Sequence, residues 1–194
     1  MTVDTGTLTP NQAARRARVL DAAIALATEG GYDAVQMRDV ASRAQVALGT
    51  IYRYFASKDH LLAACQLEIW RVLERRLDAR PLTGDTAADR VIDLFGRLMR
   101  PVEREPLQAA ALITASSSPD PAVRECQVEM IGLQDGVFAA AMGELDLARK
   151  AQIAQVLRQV WFAALLGWVN GWTDADAVTV DFEIAVRLLL DDLP

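Results

Sequence analysis

Residues 45–58 read QVALGTIYRYFASK and crowd recognition groups into one short stretch. Gln45 offers an amide, Thr50 a hydroxyl, Tyr52 and Tyr54 phenols, Lys58 an ammonium, and Gly49 an uncovered backbone beside Leu48. Groups of these types hydrogen-bond phosphate oxygens and base edges, and a glycine among them admits close approach by another backbone. Covalent chemistry needs a different inventory. His60 is the one histidine and has no metal-ligand spacing around it, and neither Cys65 nor Cys126 has a histidine neighbour for a thiolate pair. Glu103 and Glu105 stand two apart, a spacing that turns helix side chains in different directions. The expectation is a binding protein with no catalytic residue, metal or cofactor.

To present those groups together, the chain must form two short helices joined by a tight turn. Residues 11–30 keep a helical period through Ala13, Val19, Leu20, Ala23, Ile24 and Ala27, and Gly30 and Gly31 end it. A second helix bears Met37, Val40 and Ala41. Gln45 and Val46 then turn the chain into a third, from near Leu48 through Ile51, Tyr52 and Tyr54. Val40, Ala41, Val46 and Ile51 fix the angle between these two helices, and Ala41 and Ala44 are small enough for a close crossing. Such a helix-turn-helix unit lays its last helix in the DNA major groove. Ser57 is the N-cap expected for a long helix over 58–79, which puts Lys58 beside free amides at a positive helix end, a natural phosphate clamp. Arg15, Arg16 and Arg18 can reach phosphate or an adjacent minor groove, and Arg38 and Arg43 add charge towards the DNA backbone. Tyr52 serves equally well as core, Arg43 equally well as a solvated side chain, and the helix period can turn Arg53 away.

Beyond Pro81 and Gly84 the pattern stays helical. A helix over 86–100 carries Val91, Ile92, Leu94, Phe95 and Leu98 on one side and stops at Pro101; a shorter one follows Pro106. Helices over 123–142, 148–168 and 175–190 complete the set. No strand alternation, repeat or low-complexity tract interrupts them. The fold class is therefore all-α with about nine helices, divided into an N-terminal helix-turn-helix DNA-binding domain at 1–57 and a helical ligand-binding and dimerisation domain at 58–194.

A net charge of −6 at first opposes nucleic-acid binding, but its distribution does not. Residues 11–60 hold seven Lys or Arg against five Asp or Glu, whereas residues 61–194 hold thirteen against twenty. The basic lobe can approach phosphate while the acidic lobe stays in solvent. The longest apolar run, near Phe162 to Leu166, is far shorter than the ~18 residues of a membrane span, and no apolar stretch follows Asp4 as a secretory signal requires. No membrane partner and a cytoplasmic location are expected, with Cys65 and Cys126 as two packed thiols in preference to a disulfide.

Residues 30–62 resemble the N-terminal signature of the TetR family of bacterial repressors. A Gly-Tyr pair precedes the helix-turn-helix, and Gly49, Thr50, Tyr52, Tyr54, Phe55, Ser57 and Lys58 match the closing G-T-x-Y-x-Y-F-x-S-K run without a gap. The resemblance implies phosphate and base contacts from Thr50, Tyr54 and Lys58, with Gln45 and Gly49 at or near the recognition helix. Gln36 departs from the pattern, which often has a capping Thr there; Asp33 is the nearby residue that can supply the cap instead. The segments GGYDAVQMRDVA, QVWFAALLGWV and EIAVRLLL are similar to the steroid-catabolism branch of the family in actinobacteria. That likeness implies a repressor released by a small apolar effector, a steroid or an acyl-CoA thioester, with Arg100 and Arg104 as candidates for the CoA end.

Aromatic residues of the larger domain, among them Trp70, Phe95, Phe138, Trp161, Phe162, Trp168 and Trp172, fit a cavity or a tight core equally well. The family likeness places ligand near Phe95, Leu98, Leu112, Val128, Ile131, Phe138 and Trp161. Small and apolar residues on the last two helices, Val156, Val160, Ala163, Ala164 and Gly167 with Ile184, Ala185 and Leu188, permit the close approach of a symmetry mate, as in the family's four-helix dimer interface. A homodimer reads a palindromic double-stranded DNA operator with half-sites about one turn, roughly 34 Å, or a multiple of it apart. The competing readings are a helical interaction module that binds no DNA, and a regulator of drug efflux or another lipid pathway.

Overall fold

The structure is a computed structural model that describes residues 8–191; Asp4 lies outside them. The described residues form nine α-helices and no strand, so the all-α expectation holds. By packing they divide into two compact units: residues up to Ile69 with Glu105–Glu129, and Trp70–Arg104 with residues from Met130 onward. The first unit takes in a helix and a half from the middle of the chain, so the compact units are not consecutive stretches of sequence.

In the first unit, α1 (Pro10–Ala34) starts at a reciprocal cap. Gln12 N–H donates to Thr9 Oγ1 at 3.4 Å, the Gln12 side chain accepts from Thr9 N at 2.8 Å, and Pro10 occupies a first-turn position where no N–H is needed. Its regular helix is broken at Gly30 and Gly31; Gly31 has φ +69°, a left-handed conformation that any side chain would strain. α2 (Met37–Ala44), α3 (Leu48–Tyr54) and the first half of α4 (Lys58–Ala79) follow. Ala23, Val40, Ala44, Ile51, Phe55, Leu61 and Leu62 form one buried core with Ala111 and Leu112 of α6 (Pro106–Ser116). α6 packs along α1, where Thr28 donates to the Gln108 amide oxygen at 2.9 Å, and its alanines let the two backbones come close. Neither Cys65 nor Cys126 is in a disulfide among the described residues; burial pushes the Cys65 pKa far up, so it stays protonated.

The second unit holds α5 (Ala87–Arg104), α8 (Leu147–Val169) and α9 (Ala175–Leu190), with the later halves of α4 and of α7 (Pro121–Ala141). α9 packs on both α5 and α8. Asp146 and Asp174 cap α8 and α9 through the N–H groups of Ala148, Arg149 and Ala177. Arg90 Nε donates to the Ala141 carbonyl at 2.8 Å, and an Arg158–Asp135 ion pair ties α8 to α7. One expected boundary is corrected: α5 does not stop at Pro101 but runs to Arg104. Pro101 falls in the last turn with its ring exposed, so its missing N–H forfeits one terminal bond and not a run of them.

Candidate nucleic-acid interface and effector core

The turn between α2 and α3 depends on Gln45, whose φ of 54° and ψ of 49° close α2 as a left-handed cap while its N–H bonds back to Ala41 and Ser42. Val46 N–H reaches the Ala41 carbonyl at 3.0 Å and completes the reversal. α3 then buries Ile51 and Tyr54 on one side. On the other, Gly49, Tyr52 and Arg53 are exposed, Gln45 is exposed just ahead of the helix, and Leu48 and Thr50 are half-buried at its margin. A Cβ built on Gly49 would meet nothing within 4 Å, so no contact within the protein requires glycine there.

Tyr54, 6% exposed, is mostly core; its phenol oxygen accepts from Arg53 at 3.2 Å, and the Arg53 guanidinium lies 5.2 Å from its ring centre. Tyr52, for which core and surface were both open, is 53% exposed. Lys58 Nζ sits 3.6 Å from the Tyr32 ring centre and donates to the Tyr32 carbonyl at 3.2 Å, while the Tyr32 hydroxyl donates to Asp59 at 2.5 Å. Burial and the Asp59 carboxylate raise the Tyr32 pKa to about 12, so it remains a donor. Arg18 donates to the Ala44 carbonyl at 3.4 Å, helping to seat α2, and Arg43 pairs with Glu29 at 2.8 Å. Arg15 is half-buried and Arg38 exposed. Asp33 does not supply the side-chain cap expected of it: the Gln36 side chain donates to the Asp33 carbonyl at 2.9 Å, and Gln36 makes no side-chain cap for α2.

Behind α3, Ser57 caps α4 by accepting from His60 N at 3.1 Å and donates its own proton to Asp120 at 2.6 Å. Asp120 also caps α7, accepting from Ala122 N at 2.9 Å, and these two bonds hold its carboxyl below the usual carboxylate range. His60 is buried with Nδ1 accepting from Ala56 N at 3.1 Å, an arrangement that requires the neutral ring. Burial lowers its pKa, outweighing the nearby carboxylates of Asp120 and Glu125. Sequence reasoning missed Asp120, 63 residues from its partner, since nothing local signals a contact of that range.

In the second unit Phe95 stacks on Phe182 at 3.9 Å and 9°, and Trp161 meets Phe95 and Trp70 edge-on at 6.0 and 5.5 Å. Of the expected effector residues the structure brings Phe95 and Trp161 together. Phe138 is buried and Leu98 half-buried in the same unit, Leu112 belongs to the first unit's core, and Val128 and Ile131 lie 64% and 40% exposed on α7. Phe182 was missed, because α9 reads as an ordinary apolar helix. On α8 and α9, Val156, Ala163, Ile184 and Leu188 are exposed, Val160, Ala164 and Ala185 half-buried, and Gly167 is buried, where a Cβ would stand 3.3 Å from Thr173. Val180 extends the α9 stripe one turn earlier.

A helix-turn-helix with an exposed polar reading helix, joined to a larger helical unit, defines a DNA-binding transcription regulator. Residues 19–65 match the bacterial regulatory proteins of the tetR family, and residues 84–189 match the tetracyclin repressor-like C-terminal domain. The chain belongs to the TetR family and is a regulator, not an enzyme. It is 40% identical over 181 residues, 92% of this chain and 88% of the relative, to the HTH-type transcriptional repressor KstR of Mycolicibacterium smegmatis. A TetR transcriptional regulator from Rhodococcus sp. RHA1 has the same fold at a TM-score of 0.80 and 30% identity, over 95% of this chain and all of that one. The lauroyl-CoA complex of Thermus thermophilus FadR, 22% identical with a TM-score of 0.64 over 90% and 92% of the two chains, shares the fold. Among the described residues no helix is long and apolar enough to cross a membrane.

Proposed function

We propose that the protein is a cytoplasmic repressor that binds a palindromic operator as a homodimer and leaves it on binding a small apolar effector, a steroid or an acyl-CoA thioester. The observation that carries the reading is the exposed face of α3, with Gly49, Thr50 and Tyr52 set on a fully packed base. Gln45, Leu48 and Gly49 meet base edges; Thr50, Tyr54 and Lys58 hold phosphates; Arg15, Arg18 and Arg38 supply outer charge. Dimerisation uses the apolar stripe on α8 and α9, since one short reading helix spans too few base pairs for an operator.

The KstR likeness over most of the chain supports a steroid-type effector, and the acyl-CoA complex of a fold relative supports a thioester. Phe95, Leu98, Phe138 and Trp161, all in the second unit, form the apolar end of the site. Arg100 and Arg104, exposed one turn apart at the end of α5, take the CoA phosphates. Release requires that the effector bind the state that cannot span both half-sites more tightly than the state that can. α4 and α7 are the routes, since each begins in the first unit and ends in the second.

Retardation of a fluorescent duplex from upstream of the protein's own gene, at ~150 mM salt, tests the reading. Specific binding relieved by a steroid acyl-CoA or by lauroyl-CoA, and not by free CoA, is the expected result. Binding indifferent to all three would remove the effector class, and absence of binding to any upstream fragment would remove the operator.

A further inference from the structure

Trp161 carries a hydrogen-bond donor that nothing in its surroundings accepts. The residue is 8% exposed, and among the described residues its indole Nε1 has no hydrogen-bond partner. Buried tryptophans ordinarily find an acceptor, because an amide-like donor taken from water without one is costly. Two rings pack against it edge-on, Trp70 and Phe95, with Phe182 stacked beyond Phe95. None of them contributes an acceptor oxygen.

We propose that the Trp161 N–H is the polar anchor of the effector site and donates to a carbonyl oxygen carried on an otherwise apolar ligand. The inference rests on the reading of this protein as an effector-released repressor, and adds which ligand atom is recognised and by which group. Water is a poor occupant, since a buried water uses two to four polar partners and the rings supply none. A ligand hydroxyl would accept the indole proton but leave its own without an acceptor. A carbonyl needs one donor only, and the apolar body that bears it suits the aromatic surroundings that Trp70 and Phe95 give Trp161. The oxygen can be a ring ketone or a thioester carbonyl.

Two probe pairs separate these sources. Cholestan-3-one is compared with cholestane, and lauroyl-CoA with S-dodecyl-CoA, which lacks the carbonyl. Dissociation constants are measured for the wild-type protein, for protein with 3-benzothienylalanine at position 161, where sulfur replaces N–H in a ring of the same shape, and for Trp161→Phe. We expect one carbonyl probe to bind the benzothienyl protein about 3- to 10-fold more weakly than wild type, as loss of one hydrogen bond requires. The partner that lacks the ring ketone or the thioester carbonyl should not distinguish the two proteins, and the Trp161 indole proton should move downfield in the ¹H–¹⁵N spectrum when the ketone or thioester probe binds. Which pair responds identifies the ketone or the thioester. Equal losses for both members of a pair would reduce Trp161 to a shape contact, and no loss with an unmoved indole proton would mean that the N–H faces a neighbouring ring; either overturns the proposal while the effector reading stands. Failure of every probe to bind protein that still holds DNA overturns both.

Discussion

On the proposed reading, Gly49 is the residue at which folding and DNA contact would make opposite demands. Helix interiors disfavour glycine, and the space beside Gly49 is open, so Gly49→Ala should leave the fold intact and stabilise it by up to about 0.5–1 kcal/mol. If the backbone at 49 lies close to DNA, the same methyl group should weaken operator binding; a raised urea midpoint with unchanged affinity would remove Gly49 from the interface. His60 makes a pH-dependent contribution whose sign follows from its burial. Its folded-state pKa lies below the ordinary 6.5, so below pH 6.5 the unfolded chain binds a proton that the folded protein refuses. Stability should be fully present above that pH and fall as the pH drops from 6.5 towards the folded value. Urea midpoints between pH 8 and pH 5 check this, and His60→Gln should flatten that segment of the curve; an unchanged slope would mean that another group titrates there.

At the scale of elements, the joint made by Ser57, His60 and Asp120 links the starts of α4 and α7, the two helices that leave the DNA-reading unit. Asp120→Ala removes a cap and a hydrogen bond together and should destabilise the protein by about 1 kcal/mol. It should also weaken coupling, so that more effector is needed to release DNA; an unaltered release curve in a stable variant would show that α4 and α7 are not coupled through this contact. The joint also marks how far the elements are legible in the chain. Some helix limits followed from local signals: Ser57 before α4, and Gly30 and Gly31 at the break in α1. Pro101 misled because a proline removes one i→i−4 bond without barring the residues after it from helical φ/ψ, and α5 carries on for three residues past it. On α3, Ile51 was legible as scaffold, whereas Tyr52 suited core and surface equally and Tyr54, expected at phosphate, packs in the core. The aromatic cluster was not legible: Phe182 reaches Phe95 across 87 residues, and no helical period reports which helix a buried ring will meet.

For the whole molecule, the account requires two copies. Val180, Ile184 and Leu188 on α9 stand four residues apart and exposed, with Leu188 at 79%, and Val156 and Phe162 of α8, which packs on α9, are exposed too. A face this apolar is the kind of patch that the proposed homodimer would cover. Ile184→Glu with Leu188→Glu should halve the mass measured by light scattering and weaken operator binding much more than it perturbs the helix content. A double variant that remains dimeric would place the interface elsewhere. The most direct test of the central claim, that α3 of each of two copies reads one half of a palindrome, is a hydroxyl-radical footprint of the protein on its upstream DNA. Two protected patches related by a dyad, with centres about one helical turn or a multiple of it apart and lost together in Thr50→Ala, are the predicted result. A single patch without symmetry, or protection that survives the change at Thr50, would contradict it.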